Sequence, residues 1–460
     1  MRVYNTLTKQ KENLIPREGN KINMFVCGPT VYDYAHIGNF RSFVFFDVVA
    51  KYLRQRGYEI DYIQNITDID DKIIRQAREN NRNPLDWARE YTEKFLEDAK
   101  ALGIDSPKYA PATKYIDEVI KQVKILIDKG FAYEIESDGW YYDLSTFPEY
   151  GKLSGRTTQM ADDGISRIDE NEKKKNRGDF CLWKYSKENE PSWDSGLGKG
   201  RPGWHIEDTA ITEKFFGPQY DIHGGGQDLM FPHHEAEITQ QESASGLKPF
   251  VKYWMHVAFI IIGKGEKMSK SLGNFETVHN LLTKYHKETL RFYILGGHYR
   301  KPLDFSDKNI NQAMAGTQRL NELILRLSHT DGISNPDMEQ IISDTKKSFI
   351  IAMDDDFNTP DALAVIFEFV RKINSSLAEN ELSKAQAKEI SVLLSEFNEV
   401  LGIIPTEQQK IPANIQELVE KREKFRKEKK YPESDKLRTE IEELGYILED
   451  TIYGPMIQAK

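Results

Sequence analysis

Residues Met24 to Arg41 read MFVCGPTVYDYAHIGNFR, and this stretch decides the fold. Met24 to Cys27 is an apolar run that stops at Gly28-Pro29. From His36 onward, Phe40, Phe43, Val44 and Val48 recur at helical spacing. The pattern predicts a strand, a loop and a helix. In an open parallel sheet this junction joins the carboxyl end of a strand to the amino end of a helix, where unpaired N–H groups and the helix dipole favour an anion. Phosphate suits such a place.

Downstream, Gly57 stops the helix, EIDYIQNIT gives a second strand, and DIDDKIIRQAREN starts another helix with Asp68, Asp70 and Asp71 crowding its first turn, where the dipole favours them. Strand, helix, strand, helix predicts a parallel sheet. Helical spacing continues from Asp86 to Leu102 and from Thr113 to Lys129. From about residue 131 to 200 the texture changes. FAYEIESDGWYYDL alternates around a turn at Ser137-Asp138-Gly139, ADDGISRIDENEKKKNRGD is too polar to bury anything, and GDFCLWK is a further short strand, so this region reads as an insertion. The sheet resumes near Trp204: a strand from Tyr220, a turn at Gly224 to Gly226, a helix after Pro232, then the apolar strand VKYWMHVAFIII. Beyond about 306, four segments repeat apolar residues every three or four positions and predict a helical bundle. The linker IIPTEQQKIPA precedes a last module with a helical hairpin opened by Pro432 and a short hairpin around Tyr446 to Met456.

A chain of 460 residues is too long for one core. No window has the length of a membrane span, the start MRVYNTLTKQ lacks the apolar block of a signal peptide, and two cysteines, Cys27 and Cys181, exclude a disulfide framework. The expectation is a cytoplasmic protein that engages no membrane. The net charge of −10 speaks against nucleic-acid binding overall. Locally, KREKFRKEKK at 421–430 holds seven basic groups in ten positions. That run fits a solvated helix face or a contact to a phosphate backbone.

Two motifs carry chemistry. His36-Ile37-Gly38-Asn39 opens the first helix, and far downstream Lys267-Met268-Ser269-Lys270-Ser271 lies between Gly263, Gly265 and Gly273. His36 and Asn39 can present donors to a triphosphate from the helix start, while Lys267 and Lys270 can neutralise it from the glycine-flanked loop. In this order the pair resembles the nucleotide motifs of class I aminoacyl-tRNA synthetases. A second constellation is His233 and Glu237, four apart on one predicted helix face, with Cys27 at a strand end. All three types ligate zinc. Spacing alone favours a helix cap at His233, a solvated Glu237 and a small core residue at Cys27.

CGPTVYDYAHIGN, NITDIDDK, RPGWHIE, DIHGGGQDLMFPHHEAE, KMSKSLGN and the tail LEDTIYGP together resemble the cysteinyl-tRNA synthetase family across essentially the whole chain. The resemblance implies an α/β architecture: a Rossmann-like catalytic domain in two halves, 1–112 and 201–245, split by a connective insertion at 113–200. A lysine-loop and stem-contact region at 246–305, a helical bundle at 306–403 and an anticodon-binding module at 404–460 follow. It implies His36, Asn39, Lys267 and Lys270 as catalytic residues, and Gly28, Thr67 and Trp204 as lining for the amino acid. It also implies a zinc ion on Cys27, His233 and Glu237 that binds the substrate's thiolate. The fourth ligand departs from the common bacterial pattern: Asp208 stands where those enzymes have cysteine, a feature of an archaeal-like branch. A carboxylate can ligate zinc, though it is a harder donor than thiolate; Cys181 is the other sulfur, placed in a predicted strand. The expected substrates are L-cysteine, ATP with magnesium, and tRNA(Cys), and nothing demands more than a monomer.

Two other functions fit parts of this pattern. A small-molecule ligase that activates cysteine for an amino sugar shares the catalytic core but lacks the region from about 306 onward. A non-catalytic tRNA-binding protein needs neither His36 nor the segment Lys267 to Ser271.

Overall fold

The computed structural model describes residues 1–156, 171–263, 266–267, 275–405, 412–451 and 454–459. The chain opens with a hairpin that the sequence pattern did not reveal, β1 (Arg2–Asn5) and β2 (Gln10–Asn13). β3 (Lys21–Val26) then leads through the loop into α1 (Ile37–Gln55), followed by β4 (Glu59–Ile66), α2 (Asp71–Glu79), α3 (Pro84–Ala101) and β5 (Lys108–Pro111). Next come α4 (Ile116–Asp128) and the strands β6 (Ala132–Ile135), β7 (Gly139–Tyr142), β8 (Phe180–Tyr185) and β9 (Gly200–Pro202). α5 (Ile206–Phe216), β10 (Tyr220–Gly226), α6 (Glu235–Ser245) and β11 (Val251–Val257) return to the main sheet.

That sheet has the order β11-β10-β3-β4-β5, and every pairing in it is parallel. β3 runs on through α1 to β4 on one side and pairs with the distant β10 on the other. The order of the chain therefore reverses at the β3/β10 seam. Ligands bind outside the carboxyl ends of strands at such a seam, and Cys27 is the first residue beyond β3, its N–H donating to Gly224 O at 3.0 Å. The insertion is a separate antiparallel sheet, β6-β7-β8-β9.

Two expectations need correction. Gly224 to Gly226 do not turn: they complete β10, paired with Met255 to Val257. The glycine at 224 is required by packing, because a Cβ there would stand 2.2 Å from the Phe46 ring of α1. VKYWMHVAFIII is not one strand either. It divides into β11 and β12 (Ile260–Ile262), which leaves the main sheet to pair with β13 (Glu266–Lys267) and, beyond α7 (Val278–Leu282) and α8 (Lys287–Leu295), with β14 (Leu303–Asp304). Arg41 holds the break: its guanidinium donates to the carbonyls of Ala258 and Phe259, both at 2.7 Å, and of Lys301 at 2.6 Å.

The four predicted helices of the bundle are α9 (Asp307–His329), α10 (Met338–Asp354), α11 (Thr359–Ala378) and α12 (Lys384–Leu401). One apolar core runs from the sheet through α1 into this bundle, which is why α1 is buried on nearly all sides. The hairpin is stitched to the bundle as well: Tyr4 N donates to Asp356 Oδ1 at 2.7 Å. Last come α13 (Ala413–Lys427), α14 (Tyr431–Glu443) and the hairpin β15 (Tyr446–Thr451) and β16 (Gly454–Ala459), around a small core of their own. Among the described residues no helix is long and apolar enough to cross a membrane.

Where α1 meets the bundle, Asp47 and Arg291, 0% and 1% exposed in their side chains, lie 3.0 Å apart. Lys51 and Ser106 also reach Asp47, and Arg291 Nε donates to Leu401 O. Burial alone would raise the Asp47 carboxyl, but Arg291 and Lys51 outweigh it and hold it below the usual range. Its contribution to stability is therefore present above the unfolded carboxylate pKa, about 4, and is lost as pH falls through the lower folded value. Removing one member of a buried pair strands the other, at a cost of about 3–5 kcal/mol. Asp47→Ala is expected to lose that much in urea unfolding at pH 7, with a smaller gap to the parent protein at pH 3.

Candidate active site

α1 begins at His36, whose imidazole Nδ1 accepts from Asn39 N at 3.3 Å and caps the helix. This start is clamped to the chain that leaves the lysine loop. His36 bridges to Thr277, Ile37 N donates to Glu276 O at 3.0 Å, and Val278 N donates to Ala35 O at 3.2 Å. Gly38 is confined by the His36 ring, 2.8 Å from where its Cβ would stand. The structure thus fixes the first motif by its backbone against residues 276–278, which follow the second motif in the chain. Lys267 enters β13; its side chain, and Lys270 entirely, lie outside the described residues.

A second centre lies at the β3/β10 seam. Cys27, Asp208 of α5, and His233 and Glu237 around the start of α6 bring one donor atom each within 4.8 Å of one another. All are buried. His233 Nε2 lies 2.9 Å from Asp208 Oδ2 and 3.2 Å from Glu237 Oε1, while Cys27 Sγ lies 3.6 Å from Asp208 and 3.8 Å from Glu237. Cys181 belongs to neither this group nor its neighbour; it is buried with Ile135 and Tyr141 in the insertion sheet.

The residues expected to line the amino acid surround this centre. Gly28 N donates to Asn65 Oδ1 at 2.6 Å, and a Cβ on Gly28 would stand 1.7 Å from Asn65 O. Thr67 Oγ1 donates to Glu207. The Trp204 ring is 4.9 Å from that of His233.

Sequence reading missed several members. Asn65 Nδ2 donates to Asp208 Oδ1 at 2.5 Å and to Glu207 Oε1 and Thr67 Oγ1, both at 3.3 Å, so one amide tethers two acids and a hydroxyl. His223 and His234 reach Cys27 Sγ through Nε2, at 3.3 and 3.2 Å. His205 pairs with His233, Nδ1 to Nδ1, at 2.7 Å. A signal existed only for His234, which lies three positions before Glu237 and shares its helical face.

Burial dominates the electrostatics. It pushes the Cys27 thiol well up, with Glu237 and Asp208 adding to the rise, and it raises Glu207 and Glu237 well above the carboxylate range. It drives His205, His223 and His234 far below the usual imidazole value, and His256 to about 3. Among the described residues no lysine or arginine pairs with Glu207, Asp208 or Glu237, and Glu237 Oε2 is buried without a hydrogen-bond partner. Thiol, imidazole and carboxylate donors with an orphaned oxygen are the chemistry a divalent cation such as zinc satisfies.

Residues 13–315 match the tRNA synthetases class I (C) catalytic domain, and residues 348–405 match the DALR domain. The chain is 45% identical over 463 residues to a cysteine–tRNA ligase of Carboxydothermus hydrogenoformans, covering 99% of both chains, and 44% identical over 467 residues to one of Clostridioides difficile, again with 99% of each covered. The chain belongs to the cysteine–tRNA ligase family. As a member of that family it activates L-cysteine with ATP and transfers the acyl group to the terminal adenosine of tRNA. A methionyl-tRNA synthetase of Mycobacterium tuberculosis, in complex with methionyl-adenylate, superposes with a TM-score of 0.61 at 14% identity, covering 83% of this chain and 90% of that one. That likeness shows the class I fold. Full-length agreement with the ligases sets aside the shorter cysteine-activating enzyme and the non-catalytic binder.

Gly28 is the tightest point of this site. Gly28→Ala is expected to abolish cysteine-dependent pyrophosphate exchange, by at least a hundredfold, because either Asn65 or the β3 loop must move to admit the methyl. Exchange assays beside a thermal unfolding curve would separate this from global loss of fold.

Proposed function

We propose that zinc is held by Cys27, Asp208, His233 and Glu237 where it meets the sulfur of L-cysteine, and that Gly28, Thr67 and Trp204 shape the rest of the amino-acid pocket. The observation that carries this reading is the fully buried donor set within 4.8 Å, placed beside those three residues. When bound, the ion supplies a preference for thiolate over a neutral hydroxyl. A purely apolar pocket separates such close neighbours by only about a hundredfold, so the ion provides selection that packing cannot.

The remaining work falls to the chain. His36 and Asn39, with the N–H groups at the start of α1, bind and orient the triphosphate of ATP, which brings magnesium with it. Lys267 and Lys270 neutralise the leaving pyrophosphate. With the α-phosphorus in line, the cysteine carboxylate attacks; positioning and charge stabilisation do nearly all the catalysis. Asn65 fixes Asp208 and Glu207, so neither acid swings into the pocket.

The proposed division of the chain is 1–112 and 201–245 for the catalytic domain, 113–200 for the insertion and 246–305 for the stem-contact region. Residues 306–403 form the bundle, and 404–460 contact the anticodon of tRNA(Cys). The basic run contributes less than its composition promised: Arg422 and Arg426 are spent on Asp450, each with a contact at 2.6 Å, and Lys430 pairs with Glu428. Lys421, Lys424, Lys427 and Lys429 are exposed and are the groups we assign to phosphate contact. We assign a monomer acting in the cytoplasm.

Asp208→Ala is expected to raise KM for cysteine at least tenfold in pyrophosphate exchange and to narrow discrimination against serine; unchanged KM and discrimination would remove Asp208 from the site. Converting Lys421, Lys424 and Lys427 together to Gln should weaken tRNA binding and flatten its salt dependence while leaving tRNA-independent exchange at the parent rate. An unaltered salt slope would move the tRNA contact elsewhere.

A further inference from the structure

Cys27 and Glu237 belong to two donor sets. Besides Asp208 and His233 on the side of Trp204, they stand with His223 of β10 and His234, and the donor atoms of this second set also lie within 4.8 Å of one another. All four of its residues are buried, His223, His234 and Glu237 completely.

The second set is built to aim lone pairs inward. Tyr220 Oη lies 2.6 Å from His223 Nδ1. His234 Nδ1 lies 2.8 Å from His256 Nε2, and His256 Nδ1 lies 2.8 Å from Thr6 Oγ1. With each Nδ1–H donating outward along these contacts, His223 and His234 both present a bare Nε2 toward Cys27 Sγ. An outer partner that fixes the tautomer of an imidazole is the usual support of a metal-bound histidine. The Trp254 ring, stacked 4.3 Å from His223, keeps the ring in place.

The outer set is largely satisfied by itself. Asp208 accepts from Asn65 at 2.5 Å through Oδ1, and its Oδ2 lies 2.9 Å from His233 Nε2. Glu237 Oε2 has no hydrogen-bond partner, and the second oxygen of the same carboxylate, Oε1, lies 3.8 Å from Cys27 Sγ and 3.9 Å from His234 Nε2, within reach of the inner set. Charge favours the same side. A divalent ion on Cys27 thiolate, Glu237 carboxylate and two neutral imidazoles is balanced, whereas on Cys27, Asp208, Glu237 and one imidazole it carries a surplus negative charge in a buried site that already holds Glu207. Two nitrogens and a sulfur also suit zinc better than one nitrogen, one sulfur and two oxygens.

We infer that, while the amino-acid pocket is empty, the ion rests in an inner seat formed by Cys27, His223, His234 and Glu237, and that the shared Cys27 and Glu237 let it pass to the outer set when cysteine binds. The inference rests on the zinc reading above and deepens it. It makes the Asp208 position dispensable for holding the metal and needed only for presenting it to substrate.

Zinc K-edge X-ray absorption on the zinc-loaded full-length protein tests both. Without cysteine the expected shell has two imidazoles and one sulfur; a single imidazole would overturn the inner seat. With cysteine a second sulfur is expected, and its absence would overturn the zinc reading itself, whatever the imidazole count. Chelator competition gives an independent arm. His223→Gln and His234→Gln should each weaken zinc binding in the cysteine-free protein at least tenfold, with far-UV circular dichroism unchanged, while Asp208→Asn stays within a few-fold of the parent. Parent-like affinity in both histidine variants would sink the inner seat, as would a loss in Asp208→Asn larger than theirs.

Discussion

The constraint on which the centre depends is a buried excess of acid. Glu207, Asp208, Glu237 and the Cys27 thiol share one interior region, and among the described residues no lysine or arginine pairs with them. Isolated buried charges are expensive, so the protein either keeps these groups protonated or gives them a cation. Neighbouring elements are arranged around that choice. Asn65 at the end of β4 spreads one amide over two acids and a hydroxyl, burial holds His205, His223, His234 and His256 neutral, and the glycines at 28 and 224 let β3, β4, β10 and α1 approach closely enough to bring the donors together.

The sheet order makes this convergence affordable in backbone terms. The β3/β10 seam joins parts of the chain almost two hundred positions apart, as Cys27 and His223 show by their separation of 196. The amino end of α1 follows the same strand and is tied by main-chain bonds to Glu276, Thr277 and Val278. The buried donor cluster and the start of α1 thus flank the one loop that joins β3 to α1.

Much of this was legible in the sequence, because local patterns record local physics. The helical spacing after His36 and the four bundle segments match α1 and α9 to α12, since burial of one face or of a whole helix leaves a direct trace. Of the proposed metal donors, His233 and Glu237 could be paired by helical period and Cys27 joined to them as a ligand type at a strand end, whereas Asp208 was tied to them only through family resemblance. What stayed hidden was long-range. His223 lies in a strand among glycines, and nothing local says that its ring faces Cys27; the opening hairpin is too short and polar to alternate; the glycine run resembles a turn until Phe46 is seen against it. Arg422 and Arg426 likewise counted as surface charge until Asp450 was placed beside them.

The stitch between Tyr4 and Asp356 spans 352 positions. On a ribosome, which releases the chain from its amino end, this bond must wait until the whole of the bundle's second helix has emerged. Contacts of such sequence separation are closed late because loop-closure entropy precedes their reward. Thr6, whose hydroxyl ends the contact chain from His234 through His256, sits in this hairpin. The hairpin is thus held in two stages: Thr6 N to Trp254 O at 2.8 Å and Asn5 Nδ2 to Lys252 O at 2.9 Å can close once β11 is made, and the bond to Asp356 only after the chain has grown about a hundred residues further.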